Sequence, residues 1–218
     1  MNKPMICAAI SESDKAEIRA VEQDVDLWEV RMDLIGQSWP LMVGFLNKPW
    51  IACNRSSLEG GKGEADENRR IQELLRGINL GASIIDIELS SKKLDDAVNE
   101  IKNQAKCQIS YHNLKETPSF EFLTSIVEKQ IQSGADICKV VTYAHSVEDN
   151  AKILQLVKKF SGIKIVAFAM GVEGRLSRVL SSLSGAYYTF ASIKKGKESA
   201  SGQISVKELR ELFGLIGE

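Results

Sequence analysis

Ionisable side chains recur at the ends of five consecutive apolar segments of this chain. They are Glu29, Arg31 and Asp33, then Arg55, then Asp86 with Glu88, then His112, and finally Lys139. Such apolar segments are typical of parallel strands that are covered on both faces and normally carry Val, Ile and Leu. Burying charge there is unfavourable unless the groups compensate one another in a site. An amine, an imidazole and several carboxylates brought together can do nucleophilic and acid–base chemistry on a carbonyl compound.

Lys139 is the candidate nucleophile. Alternation along its strand places it on one face with Ile137 and Val141. An apolar setting near other cations lowers the pKa of an amine, which can then attack a carbonyl and form a Schiff base. We therefore expect a lowered pKa for Lys139. The alternative is a lysine in a structural ion pair with an inward-facing carboxylate.

His112 is the candidate proton shuttle, because it is one of only two histidines and ends a predicted strand. Glu88, on the preceding strand, is expected to orient its ring, as a carboxylate does in hydrolytic triads. The alternative for Glu88 is an ion pair with Arg55, and for His112 a purely structural hydrogen bond.

Three arginines, Arg31, Arg55 and Arg178, are candidates for binding an anionic, oxygen-rich substrate through their guanidinium groups. Each of them taken alone would more often be structural. The stretch 192–202 is rich in Lys, Ser and Gly, which is typical of a mobile loop over a site.

The elements that must position these residues alternate between strands and helices. The strand candidates are Met5–Ile10, Leu27–Asp33, Trp50–Asn54, Ser83–Glu88, Cys107–His112, Asp136–Val141, Ile163–Met170 and Ala186–Phe190. Helical patterns fill the gaps, and strict alternation implies a parallel sheet. Eight units favour closure, and no GxGxxG follows a strand, which argues against an open dinucleotide-binding sheet. We predict an α/β fold: one (β/α)8 TIM barrel spanning residues 1–218, whose strand ends converge on one mouth.

Composition limits the classes of partner. The formal net charge is −1, so no general attraction to nucleic acid or anionic membrane is expected. The sequence contains no long apolar run and starts without a signal-peptide pattern, which favours a cytoplasmic protein. Its four cysteines, Cys7, Cys53, Cys107 and Cys138, follow no metal-ligand spacing, so we expect buried free thiols and no metal.

Seven short segments, in order, resemble the type I 3-dehydroquinate dehydratases over nearly the whole chain. They are Glu29–Asp33, Arg55 with Glu59-Gly60-Gly61, Asp86–Leu89, Ser110–Asn113, Asp136–Val140, Met170 through Arg178, and Ser199–Gln203. The resemblance implies a hydro-lyase that converts 3-dehydroquinate to 3-dehydroshikimate, in chorismate and aromatic amino-acid biosynthesis, with no cofactor.

By that resemblance Lys139 is the Schiff-base lysine, His112 the general acid/base, and Glu88 the residue that orients His112. Arg178 and Gln203 would hold the substrate carboxylate, with Ser199 as a loop contact. Glu29, Arg31 and Arg55 would bind the ring hydroxyls.

The chain departs from the family pattern in two places. Many bacterial members carry an N-terminal hairpin that closes the barrel, whereas here the first strand starts almost at once, so we expect no such hairpin. Ser201 stands where many members have proline, which leaves the closing geometry of the last loop open. Family members are often dimers, and nothing in this sequence marks an interface.

Two alternatives remain. A class I aldolase would share Lys139 but break a carbon–carbon bond, and it would not need the arginine set. A non-catalytic barrel that binds an acidic metabolite would bind without turnover, although such a protein has no reason to keep a nucleophile beside a base.

Overall fold

Parallel strands form the central layer of the protein. The computed structural model describes residues 3–12, 14–64 and 66–217. The strands among them are β1 (Ile6–Ile10), β2 (Leu27–Arg31), β3 (Trp50–Cys53), β4 (Ile84–Glu88), β5 (Lys106–His112), β6 (Ile137–Tyr143), β7 (Ile165–Met170), β8 (Thr189–Ser192) and β9 (Ile204–Ser205). They are joined in the order β7-β6-β5-β4-β3-β2-β1-β8-β9, and every pairing is parallel.

The ends of this sheet approach each other between β7 and β8. A backbone hydrogen bond of 2.7 Å from Tyr187 N to Ile165 O joins them, and the rings of Phe168 and Phe190 lie 5.7 Å apart. The sheet is therefore curled into a barrel, and the predicted TIM-barrel fold is confirmed.

Helices follow the strands and cover the outside of the barrel. They are α1 (Lys15–Val21), α2 (Met32–Ile35), α3 (Trp39–Val43), α4 (Glu67–Asn79), α5 (Leu94–Ile101), α6 (Phe120–Gln132), α7 (Asp149–Lys159), α8 (Arg175–Leu183) and α9 (Val206–Gly217). Side-chain caps open several of them: Asp66 accepts from two backbone N–H groups of α4, and Ser119 from the N–H of Phe122.

Strand boundaries differ from the sequence prediction at a few ends. The second strand stops at Arg31, because α2 begins at Met32 and takes Asp33 out of the sheet. The eighth strand starts at Thr189, where pairing with β1 begins, later than the predicted Ala186. The two-residue strand β9 was too short to be predicted from alternation.

The barrel interior divides into an apolar base and a polar mouth. Inward-facing apolar side chains, among them Ile51, Ile84, Ile137 and Val166, fill the lower layers. A separate, larger apolar layer lies between the strands and the helices. The buried charged residues therefore lie at the carboxyl ends of the strands, above a packed floor.

Before β1, the described residues 3–5 form no strand. None of the described helices combines the length and the apolar character that crossing a bilayer requires.

Candidate active site

A cavity of about 280 Å³ opens at the carboxyl ends of the strands. The sequence-predicted residues that line it are Glu29, Arg31, Arg55, His112, Lys139, Arg178, Ser199 and Gln203. Strands or loops from every part of the chain contribute, so the fold brings these residues together. Glu88 is absent from this lining, and Glu59, which had no predicted role, is part of it.

Lys139 lies at the base of the cavity, 4% exposed, between two carboxylates. Its Nζ donates to Glu29 Oε1 at 3.1 Å and to Asp86 Oδ2 at 3.0 Å, and lies 4.4 Å from the ring centre of Phe190. Burial alone would lower the pKa of Lys139, but Asp86 and Glu29 outweigh burial and raise it. The expected lowering of this pKa is wrong, because the predicted cationic surroundings are exceeded by the two contacting anions. The resting amine is an ammonium ion that must lose a proton before it can attack.

Asp86 is the anion at the centre of the polar network. Its Oδ1 accepts from Arg55 Nη2 and from Ser110 Oγ, both at 2.6 Å. Burial would raise the pKa of Asp86, but the neighbouring Arg55 and Lys139 hold it well below its usual range. Asp86 therefore stays ionised throughout the physiological pH range.

The expected contact between Glu88 and His112 is not present, and this prediction needs correction. Glu88 accepts instead from Arg70 Nη1 at 2.8 Å and from the backbone N–H of Ser56 at 2.8 Å, and pairs with Arg55 at 3.2 Å. The alternative of an ion pair with Arg55 is the one observed. Glu88 braces the loop that follows β3.

Glu59 makes the contact that was assigned to Glu88. Its Oε2 lies 2.8 Å from His112 Nδ1 and also accepts the backbone N–H of His112 at 3.1 Å. Ser90 Oγ donates to the other carboxylate oxygen at 2.8 Å. Glu59 lies in a loop, where strand alternation gives no signal, although the Glu-Gly-Gly segment was among the residues that carry the family resemblance.

Glycines shape the loop that carries Glu59. Gly60 has a φ of +82°, which favours glycine. A Cβ on Gly61 would lie 2.0 Å from the carbonyl oxygen of Arg55. The backbone therefore folds back tightly onto Arg55 and places the Glu59 carboxylate under the imidazole.

The protonation states of His112 and Glu59 allow His112 to act as a general base. Burial, with Arg55 and Lys139 nearby, lowers the pKa of His112 well below its usual value. Burial also raises the pKa of Glu59 to about 7, although Arg55 opposes it. A neutral imidazole that donates Nδ1–H to Glu59 keeps Nε2 unprotonated and able to accept a proton.

Arg178 is fully buried at the side of the cavity and, within residues 3–12, 14–64 and 66–217, has no carboxylate partner. Its Nη2 donates to the carbonyl of Ser201 at 3.3 Å, its Nε has no hydrogen-bond partner among those residues, and its guanidinium lies 4.3 Å from the ring centre of Phe168. Burial, with Arg175 adding to it, lowers the pKa of Arg178 to about 9. A buried guanidinium with free donors is suited to an anion.

The loop before β9 is fastened beside Arg178. Gln203 Oε1 accepts from the Ser199 N–H at 2.8 Å, and the Ser201 carbonyl accepts from Gly171 N at 3.2 Å. Both recorded contacts of Ser201 use its backbone carbonyl, which proline also has. A proline at this position could accept the same two hydrogen bonds, because neither of them uses the backbone N–H.

The other predicted binding residues at the strand ends are already paired with neighbouring side chains. Arg31 forms a two-pronged ion pair with Asp33, at 2.9 and 2.7 Å, while Glu29 holds Lys139. Arg55 bonds Asp86 and Ser110. Of the three arginine candidates, Arg178 alone is without a carboxylate partner in the described part of the chain.

Three neighbouring side chains in the described part of the chain are of types that can bind a metal ion. Ligand atoms of Glu29, Cys53 and Asp86 lie within 4.8 Å of one another. The Lys139 ammonium already binds both carboxylates, and burial raises the pKa of the Cys53 thiol, so a cation would have to displace the lysine and a proton. All four cysteines are free and buried, as expected.

Comparison with known proteins agrees with this geometry. The family model described as type I 3-dehydroquinase matches residues 5–218. A 3-dehydroquinate dehydratase of Dehalococcoides mccartyi (strain CBDB1) is 39% identical over 213 residues, covering 98% of this chain and 96% of the relative. One from Methanococcus maripaludis (strain C6) is 39% identical over 217 residues, covering 98% of each.

Solved structures give the same result. A type I 3-dehydroquinate dehydratase from Clostridium difficile, with covalent modified comenic acid, has a TM-score of 0.85 and 25% identity, covering 99% of this chain and 93% of that one. The enzyme from Geobacillus kaustophilus has a TM-score of 0.82 and 26% identity, with 99% and 92% coverage. The cavity and its buried lysine agree with these matches. The chain therefore belongs to the type I 3-dehydroquinase family, whose named members are lyases.

Proposed function

We propose that this protein dehydrates 3-dehydroquinate to 3-dehydroshikimate through a Schiff base on Lys139. The observation that carries the proposal is that Lys139, the His112–Glu59 pair and Arg178, which has no carboxylate partner in the described part of the chain, line the same cavity. The nucleophile, the acid–base group and the anion-binding group of such a reaction are all present there.

Imine formation comes first. The Lys139 ammonium passes a proton to Glu29 Oε1, at 3.1 Å, or to water in the cavity. The neutral amine attacks the C3 carbonyl of the substrate, and the carbinolamine loses water to give a protonated imine. Asp86 and Glu29, which hold the ammonium in the resting state, then face the iminium cation and stabilise it.

Elimination follows at the neighbouring carbons. The iminium acidifies the C2–H bond, and His112 Nε2 takes that proton while Glu59 stabilises the imidazolium through Nδ1–H. The enamine electrons expel the C1 hydroxyl, which leaves as water after His112 returns its proton. Hydrolysis of the imine releases 3-dehydroshikimate and restores Lys139.

Substrate binding is assigned to the remaining cavity residues. Arg178, with Gln203 and the Ser199 loop contact, receives the substrate carboxylate. Arg31, Arg55 and Glu29 face the ring hydroxyls. Their ion pairs with Asp33, Asp86 and Lys139, respectively, hold them in fixed positions before the substrate arrives.

The cellular role follows from this chemistry. We place the enzyme in chorismate and aromatic amino-acid biosynthesis, in the cytoplasm, and expect a homodimer, with no cofactor beyond the chain itself.

Borohydride trapping tests the proposal directly. Incubation with 3-dehydroquinate and sodium borohydride, followed by peptide-level mass spectrometry, should give a reduced adduct on Lys139 with the mass of the substrate or its dehydrated product. A folded protein that binds 3-dehydroquinate without forming an adduct would be a binding protein. An adduct on another lysine would remove Lys139 from its role.

Arg178→Met should weaken substrate binding more than it slows turnover. The lost charge-assisted hydrogen bonds correspond to about 1.5–3 kcal/mol, or roughly a 10- to 100-fold increase in KM. The fold should tolerate the change, because a buried unpaired cation is replaced by an apolar chain of similar length. Steady-state kinetics checks this, with Arg69→Met, an exposed arginine of α4 outside the cavity, as the matched control. An unchanged KM in Arg178→Met would contradict the assignment.

A further inference from the structure

Two buried polar side chains beneath the cavity have no part in the proposed chemistry. Gln108 of β5 is 0% exposed and Tyr188, which precedes β8, is 1% exposed. They form a chain of hydrogen bonds across the barrel: Tyr188 OH donates to Gln108 Oε1, and Gln108 Nε2 donates to Asp86 Oδ2 at 2.7 Å. Burying polar groups in an otherwise apolar layer is unfavourable unless they form hydrogen bonds with one another or with residues of the site above them.

The orientation of this chain is fixed by chemistry. An ionised Asp86 can only accept hydrogen bonds, so the amide of Gln108 must turn its NH2 group toward it. The carbonyl oxygen of Gln108 then faces Tyr188, which must donate. Burial raises the pKa of Tyr188, so its hydroxyl keeps the proton that it donates. The Tyr188 ring is held by Phe190, with ring centres 5.6 Å apart.

The chain ends on the carboxylate oxygen that holds Lys139. Asp86 Oδ2 accepts from Gln108 Nε2 at 2.7 Å and from Lys139 Nζ at 3.0 Å, so the two donors share one oxygen. Each donor draws on the same negative charge. A hydrogen bond from Gln108 therefore leaves less of that charge to stabilise the ammonium form of Lys139.

We propose that Gln108 and Tyr188 are positioning residues that fix Asp86 beneath Lys139 and make its ammonium easier to deprotonate. This inference rests on the proposed Schiff-base function, in which Lys139 must lose a proton before it reacts. Gln108 and Tyr188 touch no substrate and act only through Asp86.

Other titratable groups around Lys139 come from several strands and stay in place in the variants below. The charged ones are Glu29 on β2, Arg55 after β3 and Asp86 on β4, and the neutral titratable ones are Cys7 on β1, Cys53 on β3 and His112 on β5. From the remaining sides the cavity is lined by Phe168, Phe190 and the Arg178 guanidinium. Because these groups are unchanged in the variants, a shift in the titration midpoint of Lys139 can be assigned to the loss of the Gln108–Tyr188 hydrogen bonds.

The test measures the titration of Lys139 without relying on turnover. Acetylation of Lys139 by acetic anhydride is followed by mass spectrometry over a series of pH values, in the wild type, in Tyr188→Phe and in Tyr188→Phe combined with Gln108→Met. Both variants should move the midpoint of Lys139 labelling upward by about 0.5–1 pH unit, which slows labelling roughly 3- to 10-fold below the midpoint. The double variant leaves neither partner with an unsatisfied group, which protects the fold.

Tyr187→Phe is the matched control, since it removes a hydroxyl from the adjacent tyrosine, whose ring lies under Lys164 Nζ. Its midpoint should equal that of the wild type. An unchanged or lower midpoint in Tyr188→Phe and in the double variant overturns the inference. Failure of the wild type to form a borohydride adduct overturns the proposed function instead, while the labelling midpoint still decides the role of Gln108 and Tyr188.

Discussion

Lys139→Ala should abolish dehydration, with turnover reduced by a factor on the order of 10⁴–10⁶, as expected when a covalent nucleophile is lost. The imine cannot form, so no electron sink acidifies the C2 proton, and His112 alone cannot supply the missing stabilisation. Turnover followed by the absorbance of the conjugated product, together with loss of the borohydride adduct, measures this.

Stability must be measured beside activity in this variant. Lys139→Ala leaves Glu29 and Asp86 buried without the ammonium that lies between them, and breaking a buried ion pair typically costs about 3–5 kcal/mol. Arg55 still pairs with Asp86, and water entering from the cavity can solvate Glu29, so we expect a folded protein with a lower Tm. Lys106→Ala, an exposed lysine on β5, should change neither activity nor Tm. Full activity in Lys139→Ala would end the Schiff-base proposal.

His112→Ala should separate the two halves of the reaction. The imine still forms on Lys139, because the carboxylates that hold the amine are unchanged, whereas proton removal from C2 loses its base. Removing a general acid/base typically costs about 10²–10⁴-fold in rate. Single-turnover mixing, quenched with borohydride, should trap an adduct with the mass of the undehydrated substrate.

Glu59→Gln tests which carboxylate serves His112. The amide cannot balance an imidazolium as a carboxylate does, so turnover should fall less than in His112→Ala but still markedly. In the wild type, protonation of Glu59 should have the same effect, so kcat should decline as the pH falls below about 7, the pKa to which burial raises this group. Wild-type turnover in Glu59→Gln would show that the negative charge of Glu59 has no part in catalysis.

The site residues on the strands were predictable, because a charged residue stands out in the apolar sequence of a buried parallel strand. Lys139, His112 and Asp86 each interrupt an apolar segment, and alternation tells which face they take. The fold followed from the same segments and their spacing.

Pairings between these residues were much less predictable. Glu88 and Glu59 are both carboxylates near the mouth, and only the path of a glycine-rich loop decides that Glu59 meets His112. The pKa of Lys139 was predicted in the wrong direction for a related reason. The direction of the pKa shift depends on whether anions or cations lie within about 3 Å of the amine. The alternation of side chains along a strand does not give distances between strands.

The buried cysteines can report transient opening of the barrel. Cys7, Cys53, Cys107 and Cys138 lie on β1, β3, β5 and β6, all without exposed surface of note, and burial raises the pKa of each thiol. Cys53 borders the active-site cavity, whereas a thiol reagent can reach Cys7, Cys107 and Cys138 only when the surrounding strand separates from its neighbours or the whole chain unfolds. The rate of modification at each of these three cysteines therefore measures how often that part of the barrel opens, and no substitution is needed to introduce a reactive group.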